Sequence, residues 1–303
     1  RACPRDFLRV PAWLTIPAST SGTTGTPLKL FRSYPSVSVE QAAIDWLLLR
    51  RGYNPRKLRY AVLRGESIKP PSDKTPPFWR IDANGRRLVL SSHHLNTSTI
   101  DYYHTVLSEF APDCLLAQPS ALESLCRLLQ QKNKPLRIPL IVCSSEMLTP
   151  SARALAESVL HATLIDYYGQ AERVAFAYSW HAREYWFLAG YAWTELIPVE
   201  YLPDSVVYEV VGTPLYNLAM PLVRYRTGDY IRLPRAVDDD ELSAICFGVT
   251  PFEGIIGRSG DVLIAPDGTV LIGLSHISRD VDHVIRMQIV QERLDWVRIL
   301  VIP

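Results

Sequence analysis

Four short segments concentrate the residues of this chain that could do chemistry. The first is Ser19-Thr20-Ser21-Gly22-Thr23-Thr24-Gly25-Thr26-Pro27. Its two glycines let successive backbone N–H groups converge, and its hydroxyls add short donors, a pattern suited to holding phosphate. No Gly-Lys-Ser/Thr follows, so it is not a nucleoside-triphosphatase P-loop. A plain surface loop is the competing reading. The second segment, Asp166-Tyr167-Tyr168-Gly169-Gln170-Ala171-Glu172, sets aromatic rings beside a carboxylate. The third and fourth, Tyr225-Arg226-Thr227-Gly228-Asp229 and Gly257-Arg258-Ser259-Gly260-Asp261, each carry an Arg and close on Gly-Asp. A further polar turn, Ser144-Ser145-Glu146, ends an apolar run.

Other chemistries find little support. The five cysteines, Cys3, Cys114, Cys126, Cys143 and Cys246, form no CxxC pair, which argues against a zinc site or a disulfide scaffold. Cys126 and Cys143 read as small core residues, and this usage suits a reducing compartment. No Ser-His-Asp order or GxSxG elbow supports a hydrolase. The pair His93-His94 reads as a solvated loop pair ahead of a gate on an acyl pocket. His276 and His283 lack metal-ligand partners.

The elements that must position these segments follow from periodicity. Leu28–Phe31 and Arg59–Leu63 read as strands. Ser36–Arg51 reads as a helix with Val39, Ala42, Ala43, Trp46 and Leu47 on one face. Thr97–Phe110 and Ser120–Gln131 read as helices, each opened by a Ser/Thr cap signal, and the proline-rich stretch 69–77 as a loop. Leu140–Cys143 is an apolar strand, Pro150–Leu160 a helix with Pro near its start, and Ala162–Asp166 a second strand. This order predicts a parallel sheet with right-handed crossovers, whose ligands gather at the carboxyl ends of the strands. Ser144–Glu146 and Tyr167–Glu172 mark two such ends, although a helix cap for Pro150–Leu160 explains the first turn nearly as well. After Arg173 short β-like runs dominate: Tyr185–Leu188, Val206–Val211, Tyr230–Leu233, Ile255–Ile256, Val262–Ile264, Val270–Ile272 and Trp296–Ile302. Asp267-Gly268 gives a hairpin signal, and Asp238–Glu241 reads as a solvated loop.

Composition bounds the rest. The chain has 303 residues, 48% hydrophobic and 21% charged, with a net charge of +1. No run of 18 apolar residues suggests a membrane-spanning helix, and no global basic field suggests nucleic acid. The expected compartment is the cytoplasm. Residues 1–100 carry 16 Lys/Arg against 6 Asp/Glu, a surplus that fits uneven Arg usage or a basic rim near an anion. The six lysines all lie at or before Lys134. The opening Arg1-Ala2-Cys3-Pro4 is neither an initiator Met nor a signal peptide. Both ends of the chain are expected to be cut from a longer protein.

The four segments in this order resemble the adenylate-forming superfamily of acyl-CoA synthetases, adenylation domains and luciferases. With Ser144-Ser145-Glu146 and Pro221-Leu222-Val223-Arg224, they are most similar to the phenylacetate–CoA ligase-like branch and its capsular polysaccharide biosynthesis relatives. The resemblance spans about residues 11–303. It implies an α/β fold: a large multi-layer domain of two sheets flanked by helices with a small β-barrel-like part, then the beginning of a small α+β domain. The expected division is 1–258 for the large ATP/AMP- and acyl-binding domain and 259–303 for the hinge and incomplete C-terminal domain.

The resemblance also implies roles. Thr20, Ser21, Gly22, Thr23, Thr24, Gly25 and Thr26 would wrap the ATP phosphates, with Thr26 standing where many relatives carry Lys. Tyr168 would stack on adenine, with Ser144, Ser145, Glu146, Tyr167 and Gly169 around the base. Core packing is the alternative for one of the two adjacent tyrosines, since strand residues alternate faces. Glu172 would bind Mg²⁺, a hard cation that prefers carboxylate oxygens, and a surface pairing with Arg173 is its alternative. Asp229, closing the Tyr225–Asp229 turn, and Arg258 would hold the ribose, or for Arg258 the α-phosphate; a plain Gly-Asp hairpin turn and an exposed interdomain Arg are the alternatives. Gly260 and Asp261 would form the hinge, Gly260 standing where relatives carry Asp or Lys. The late catalytic Lys of the family has no counterpart after Lys134, so no catalytic residue is assigned.

The implied activity is ATP-dependent activation of a small-molecule carboxylate through an acyl-AMP, followed by thioester formation with coenzyme A. A nucleotide- or acyl-adenylate-binding module without turnover, or adenylation for a carrier protein, are the alternatives. The implied cofactors are ATP, Mg²⁺ and coenzyme A.

Overall fold

The computed structural model describes residues 4–19, 28–235, 237–258, 262–264, 270–272 and 286–302. The segment Thr20–Thr26, the hinge pair Gly260 and Asp261, Cys3, His276, His283 and the Asp267-Gly268 hairpin signal lie outside the described residues. In chain order the elements are β1 (Ile16–Ser19), β2 (Lys29–Arg32), α1 (Tyr34–Arg50), β3 (Tyr60–Leu63), β4 (Trp79–Asp82), β5 (Arg87–Leu90), α2 (Ile100–Phe110), β6 (Cys114–Ala117), α3 (Pro119–Gln131), β7 (Leu140–Ser144), α4 (Pro150–Leu160) and β8 (Thr163–Gly169). They continue as β9 (Phe176–His181), β10 (Glu184–Phe187), β11 (Ala192–Tyr201), β12 (Ser205–Pro214), β13 (Tyr225–Pro234), α5 (Asp239–Cys246), β14 (Ile255–Arg258), β15 (Val262–Ile264), β16 (Val270–Ile272), β17 (Arg286–Arg293) and β18 (Trp296–Ile302). Two compact units result: Ile44–Tyr167, and Arg1–Ala43 with Tyr168–Pro303.

The unit Ile44–Tyr167 is built on parallel strands in the order β8-β7-β6-β3-β5, with β4 antiparallel at the edge. Each parallel neighbour needs a crossover, and α3 and α4 supply two of them. The strands are apolar runs buried on both faces, as covered parallel sheets require. Leu63, Leu90, Leu115, Ile141 and Leu164 pack with Tyr103 and Leu107 of α2, Leu122 and Leu125 of α3, and Ala156 and Leu160 of α4. The described thiols Cys114, Cys126 and Cys143 are buried here, as the sequence predicts for the last two.

Three helix starts differ from expectation. Thr99 precedes α2 and makes no side-chain cap bond. Gln118 precedes α3 and makes no side-chain cap bond; the exposed Ser120 N–H instead donates to Glu146 Oε2 at 2.9 Å, and the Ser120 hydroxyl to Oε1 at 3.0 Å. The cap therefore comes from a carboxylate 26 residues downstream, beyond the reach of a local signal. At α4 the cap is Thr149, which accepts from Ala152 N at 3.1 Å, so Ser144–Glu146 does not cap that helix. His94 is also not solvated. It is buried, stacks on Phe78 with ring centroids 5.1 Å apart, and its Nδ1 lies 2.7 Å from the Ser91 hydroxyl.

The other unit contains the antiparallel sheet β11-β12-β13-β14 and the pairs β1–β2, β9–β10, β15–β16 and β17–β18. The four-stranded sheet is open, and there is no closed barrel among the described residues. Its core gathers Ala177, Phe187, Leu196, Val210, Ile231 and Ile245. Asp238–Glu241, expected as a loop, is the start of α5: Asp238 accepts from Glu241 N at 2.8 Å, and three acids occupy the first turn, where the helix dipole favours them. In α1, Ser36, Ala43, Leu47 and Leu48 are buried, while Ala42 and Trp46 are exposed. The inward stripe includes the polar Ser36 and the half-buried Glu40, which a count of apolar residues alone misses. Among the described residues no helix is long and apolar enough to cross a membrane.

Candidate functional site

Strand β8 runs farther than the sequence predicts, through Gly169, so the aromatic pair lies on a strand end and not in a turn. Tyr167 closes a run of four buried residues that begins at Leu164, and Tyr168 beyond it is half-buried. Tyr167 pairs in register with Ser144, the last residue of β7. Ser144 is buried and Ser145 exposed at φ 76°, a left-handed backbone that only a tight turn requires. The Ser144–Glu146 turn and Tyr167 thus share the carboxyl edge of one parallel sheet. Glu146, however, has its carboxylate committed to the first turn of α3.

Tyr168, Gly169, Glu172, Asp229 and Arg258 all belong to the other unit. The Tyr168 hydroxyl donates to Asp229 Oδ2 at 2.7 Å. Burial, and then the Asp229 charge, push this phenol well above its ordinary range. Asp229 is itself buried, its N–H donating to Thr227 Oγ1 at 3.0 Å. The Tyr225–Asp229 segment, expected as a turn, is part of β13 with a bulge: Gly228 has φ 69°, and the register shifts opposite Glu209. β13 pairs with β14 so that Asp229 stands opposite Arg258. The backbone therefore sets the two ribose candidates side by side.

Glu172 is buried, which removes the surface-pair reading. Arg173, with φ 61°, pairs instead with Glu40 of α1, which also accepts from the Tyr191 hydroxyl at 2.9 Å. Burial lowers the Arg173 guanidinium to about 10. The Tyr225 hydroxyl donates to Glu172 Oε1 at 2.9 Å, while buried Oε2 has no hydrogen-bond partner among the described residues. A buried carboxylate oxygen left open in this way is costly unless a cation or donor meets it, so the donor chemistry fits Mg²⁺. Arg32, at the end of β2, donates from Nε to the Ala171 carbonyl at 2.9 Å and ties the strand after the Ser/Thr/Gly segment to the Glu172 turn.

Several of these residues carry no obvious sequence signal. Glu209 receives Arg226 and accepts the Gly228 N–H at 3.2 Å, so it shapes the bulge that presents Asp229. Its one legible trace is a lone acid in the apolar run Val206–Val211. Arg32, Glu40 and Tyr225 act through partners distant in sequence. Among the described residues no group of three His, Cys, Asp or Glu side chains suggests another metal centre.

No family model matches the chain. Over 285 residues it is 24% identical to Protein CapK of Staphylococcus aureus, an alignment covering 92% of this chain and 62% of that protein. Over 171 residues it is 29% identical to a phenylacetate–coenzyme A ligase of Pseudomonas putida, covering 52% of this chain and 37% of the ligase. The chain thus spans less than two thirds of the length of both curated relatives. Among solved structures it is similar to 2-hydroxyisobutyryl-CoA ligase in the postadenylation state with 2-HIB-AMP, with a TM-score of 0.65 at 14% identity, covering 98% of this chain and 64% of that one. ATP-bound MatB from Rhodopseudomonas palustris gives a TM-score of 0.55 at 14% identity, covering 90% and 54%. The chain therefore has the fold of these adenylate-forming ligases, and in sequence it is similar to CapK and to the phenylacetate–coenzyme A ligase.

Proposed function

We propose that the chain binds ATP and activates a carboxylic acid as its acyl-AMP, which coenzyme A then takes up as a thioester. The observation that carries this reading is Glu172: a buried carboxylate with one oxygen fixed by Tyr225 and the other open, in the position where the resembling family holds Mg²⁺. Four ordered motifs and a relative that is itself a coenzyme A ligase support it.

In this reading the flat face of Tyr168 packs on adenine, with Tyr167, Gly169 and the Ser144–Ser145 turn along the base edge. Glu146 contributes backbone there, because its carboxylate serves α3. Asp229 accepts the ribose hydroxyls, and Arg258 approaches the ribose or α-phosphate. The N–H groups and hydroxyls of Thr20–Thr26 hold the outer phosphates. Glu172 Oε2 would hold Mg²⁺, which when bound neutralises phosphate charge. One oxygen of the acid attacks the α-phosphorus, the bond to pyrophosphate breaks, and acyl-AMP remains. The thiol then attacks the acyl carbon and AMP leaves. Rotation about Gly260 and Asp261 separates the two half-reactions.

Carboxylate-dependent exchange of labelled pyrophosphate into ATP tests the reading, over aryl, fatty, amino and dicarboxylic acids. Exchange with one class is expected. Gly260, standing where the resembling family carries Asp or Lys, favours a second reading, a nucleotide- or acyl-adenylate-binding module without turnover. AMP binding with no exchange for any acid would select it. A carrier protein in place of coenzyme A is separated by supplying each thiol in turn.

A further inference from the structure

Arg64 directly follows β3, at the carboxyl end of the parallel sheet of the unit Ile44–Tyr167. Its guanidinium Nε and Nη2 are buried and have no hydrogen-bond partner among the described residues. Arg64 as a residue is half-buried, but two buried N–H-bearing nitrogens without an acceptor are costly unless a ligand supplies one. Further polar side chains converge on the next residue, Gly65. A Cβ placed on Gly65, at φ 75°, would meet Gln118 Oε1 at 3.3 Å and Ser92 Oγ at 4.0 Å. Gln118 follows β6, and its N–H donates to the Leu63 carbonyl at 3.1 Å. Ser92 lies just beyond β5. Three strand ends thus bring a guanidinium, an amide and a hydroxyl to one edge, while Gly65 itself is exposed and leaves the edge open.

We propose that Arg64 receives a carboxylate of the acid substrate remote from the reacting one, so that the chain takes a small dicarboxylate. This rests on the reading of the chain as a carboxylate-activating protein. The strand order places β3 two strands from β7, whose end carries Ser144. That is roughly 10 Å across the sheet, which sets Arg64 apart from the Ser144 turn that the proposed function gives to the base edge. The planar fork of Arg matches a carboxylate through two parallel N–H···O bonds. The proposed function draws the phosphate donors from the Ser/Thr/Gly segment, and the pyrophosphate arm of the test below separates a phosphate role of Arg64 from an acid-binding one.

The test is calorimetric titration of the chain, saturated with AMP, with succinate, butyrate and pyrophosphate, in the natural sequence and in Arg64→Met. Succinate is expected to bind at least tenfold more tightly than butyrate, and Arg64→Met is expected to abolish that preference while AMP affinity stays within twofold. Equal binding of succinate and butyrate, or a preference that survives Arg64→Met, overturns the proposal. So does loss of pyrophosphate binding with succinate binding kept, which assigns Arg64 to phosphate. The melting temperature of Arg64→Met separates binding from packing: removing an unpartnered buried cation leaves it unchanged or raised, whereas a fall of several degrees assigns Arg64 a structural role and overturns the proposal. Failure of AMP to bind at all counts against the nucleotide reading instead, and succinate against butyrate on the AMP-free chain still decides the role of Arg64.

Discussion

The Tyr168 hydroxyl and the Asp229 carboxylate are hydrogen-bonded at 2.7 Å, so the proposed adenine and ribose residues are tied directly to each other. A bond to a charged acceptor contributes about 1.5–3 kcal/mol. It also fixes the ring plane relative to the carboxylate. Tyr168→Phe keeps the aromatic face and loses the bond; it is expected to lower unfolding free energy by about 1–2 kcal/mol and AMP affinity by roughly threefold. Tyr168→Ala removes the face as well, and base stacking is worth about 1–3 kcal/mol, so affinity is expected to fall roughly ten- to hundredfold. Urea unfolding and calorimetry with AMP measure the two effects separately. Equal AMP affinity for Phe and Ala at this position would remove Tyr168 from the base site.

Glu172 gives a second prediction, from its two unlike oxygens. Glu172→Gln keeps an acceptor for the Tyr225 hydroxyl and removes a buried charge whose other oxygen is open among the described residues. The variant is expected to melt within a few degrees of the natural chain, because removing the buried charge relieves its desolvation and also gives up its attraction to Arg32. It is also expected to lose the extra thermal stabilisation that Mg²⁺ adds to a non-hydrolysable ATP analogue. Tyr225→Phe leaves both oxygens without that donor, and is expected to weaken the Mg²⁺ increment while keeping stabilisation by the analogue alone. An unchanged Mg²⁺ increment in Glu172→Gln would place the cation elsewhere.

The parallel sheet was legible because its strands are continuous apolar runs separated by capped or proline-started helices, a local pattern. The motifs were legible because their glycines and acids are close in sequence. What remained hidden depends on partners far apart in the chain. Glu146 serves Ser120 across 26 residues, so its apparent place in a ligand turn concealed a helix cap. Glu40 turns an inward helix face polar because Arg173 and Tyr191 need it. The Tyr225–Asp229 segment reads as a turn from its Gly-Asp, yet Glu209 on the neighbouring strand holds it in the sheet as a bulge. Buried charge partnered over long separations leaves no period to read.

Gly212 supplies a third prediction. A Cβ there would lie 1.9 Å from the Val174 carbonyl oxygen and 2.7 Å from its carbon, both backbone atoms that cannot rotate away. Gly212 pairs with Tyr225, and Val174 is two residues past Glu172, so this contact sets how closely the sheet approaches the Glu172 turn. Gly212→Ala is expected to cost about 1–3 kcal/mol or more, as overpacking does, and to weaken the Mg²⁺ increment in the fraction that stays folded. Gly248→Ala is the control. Its Cβ would meet the Phe187 carbonyl oxygen at 2.1 Å, so it is expected to destabilise comparably without changing the Mg²⁺ increment.

The buried thiols predict how stability responds to alkali. Burial pushes Cys114 and Cys126 up to about 12 from an ordinary 9.0, and raises Cys143 well above it. Between those values the unfolded chain has lost its thiol protons and the folded chain has kept them. Stability is therefore fully present below about pH 9 and falls as pH rises toward 12. Each such thiol is expected to cost on the order of 1 kcal/mol at pH 10 relative to pH 7. Tyr60 and Tyr103, whose hydroxyls burial also raises, add to the loss above pH 10. Urea unfolding at pH 7, 9 and 10 measures the slope, and Cys126→Ala is expected to reduce it by one thiol's share. A disulfide-forming thiol reagent at pH 8, applied to Cys3→Ser, is expected to modify Cys114, Cys126 and Cys143 only as fast as the chain opens, since a thiol that stays protonated in the core offers no nucleophile. Rapid modification of all three in the folded chain would show that the core of the unit Ile44–Tyr167 is not closed around them.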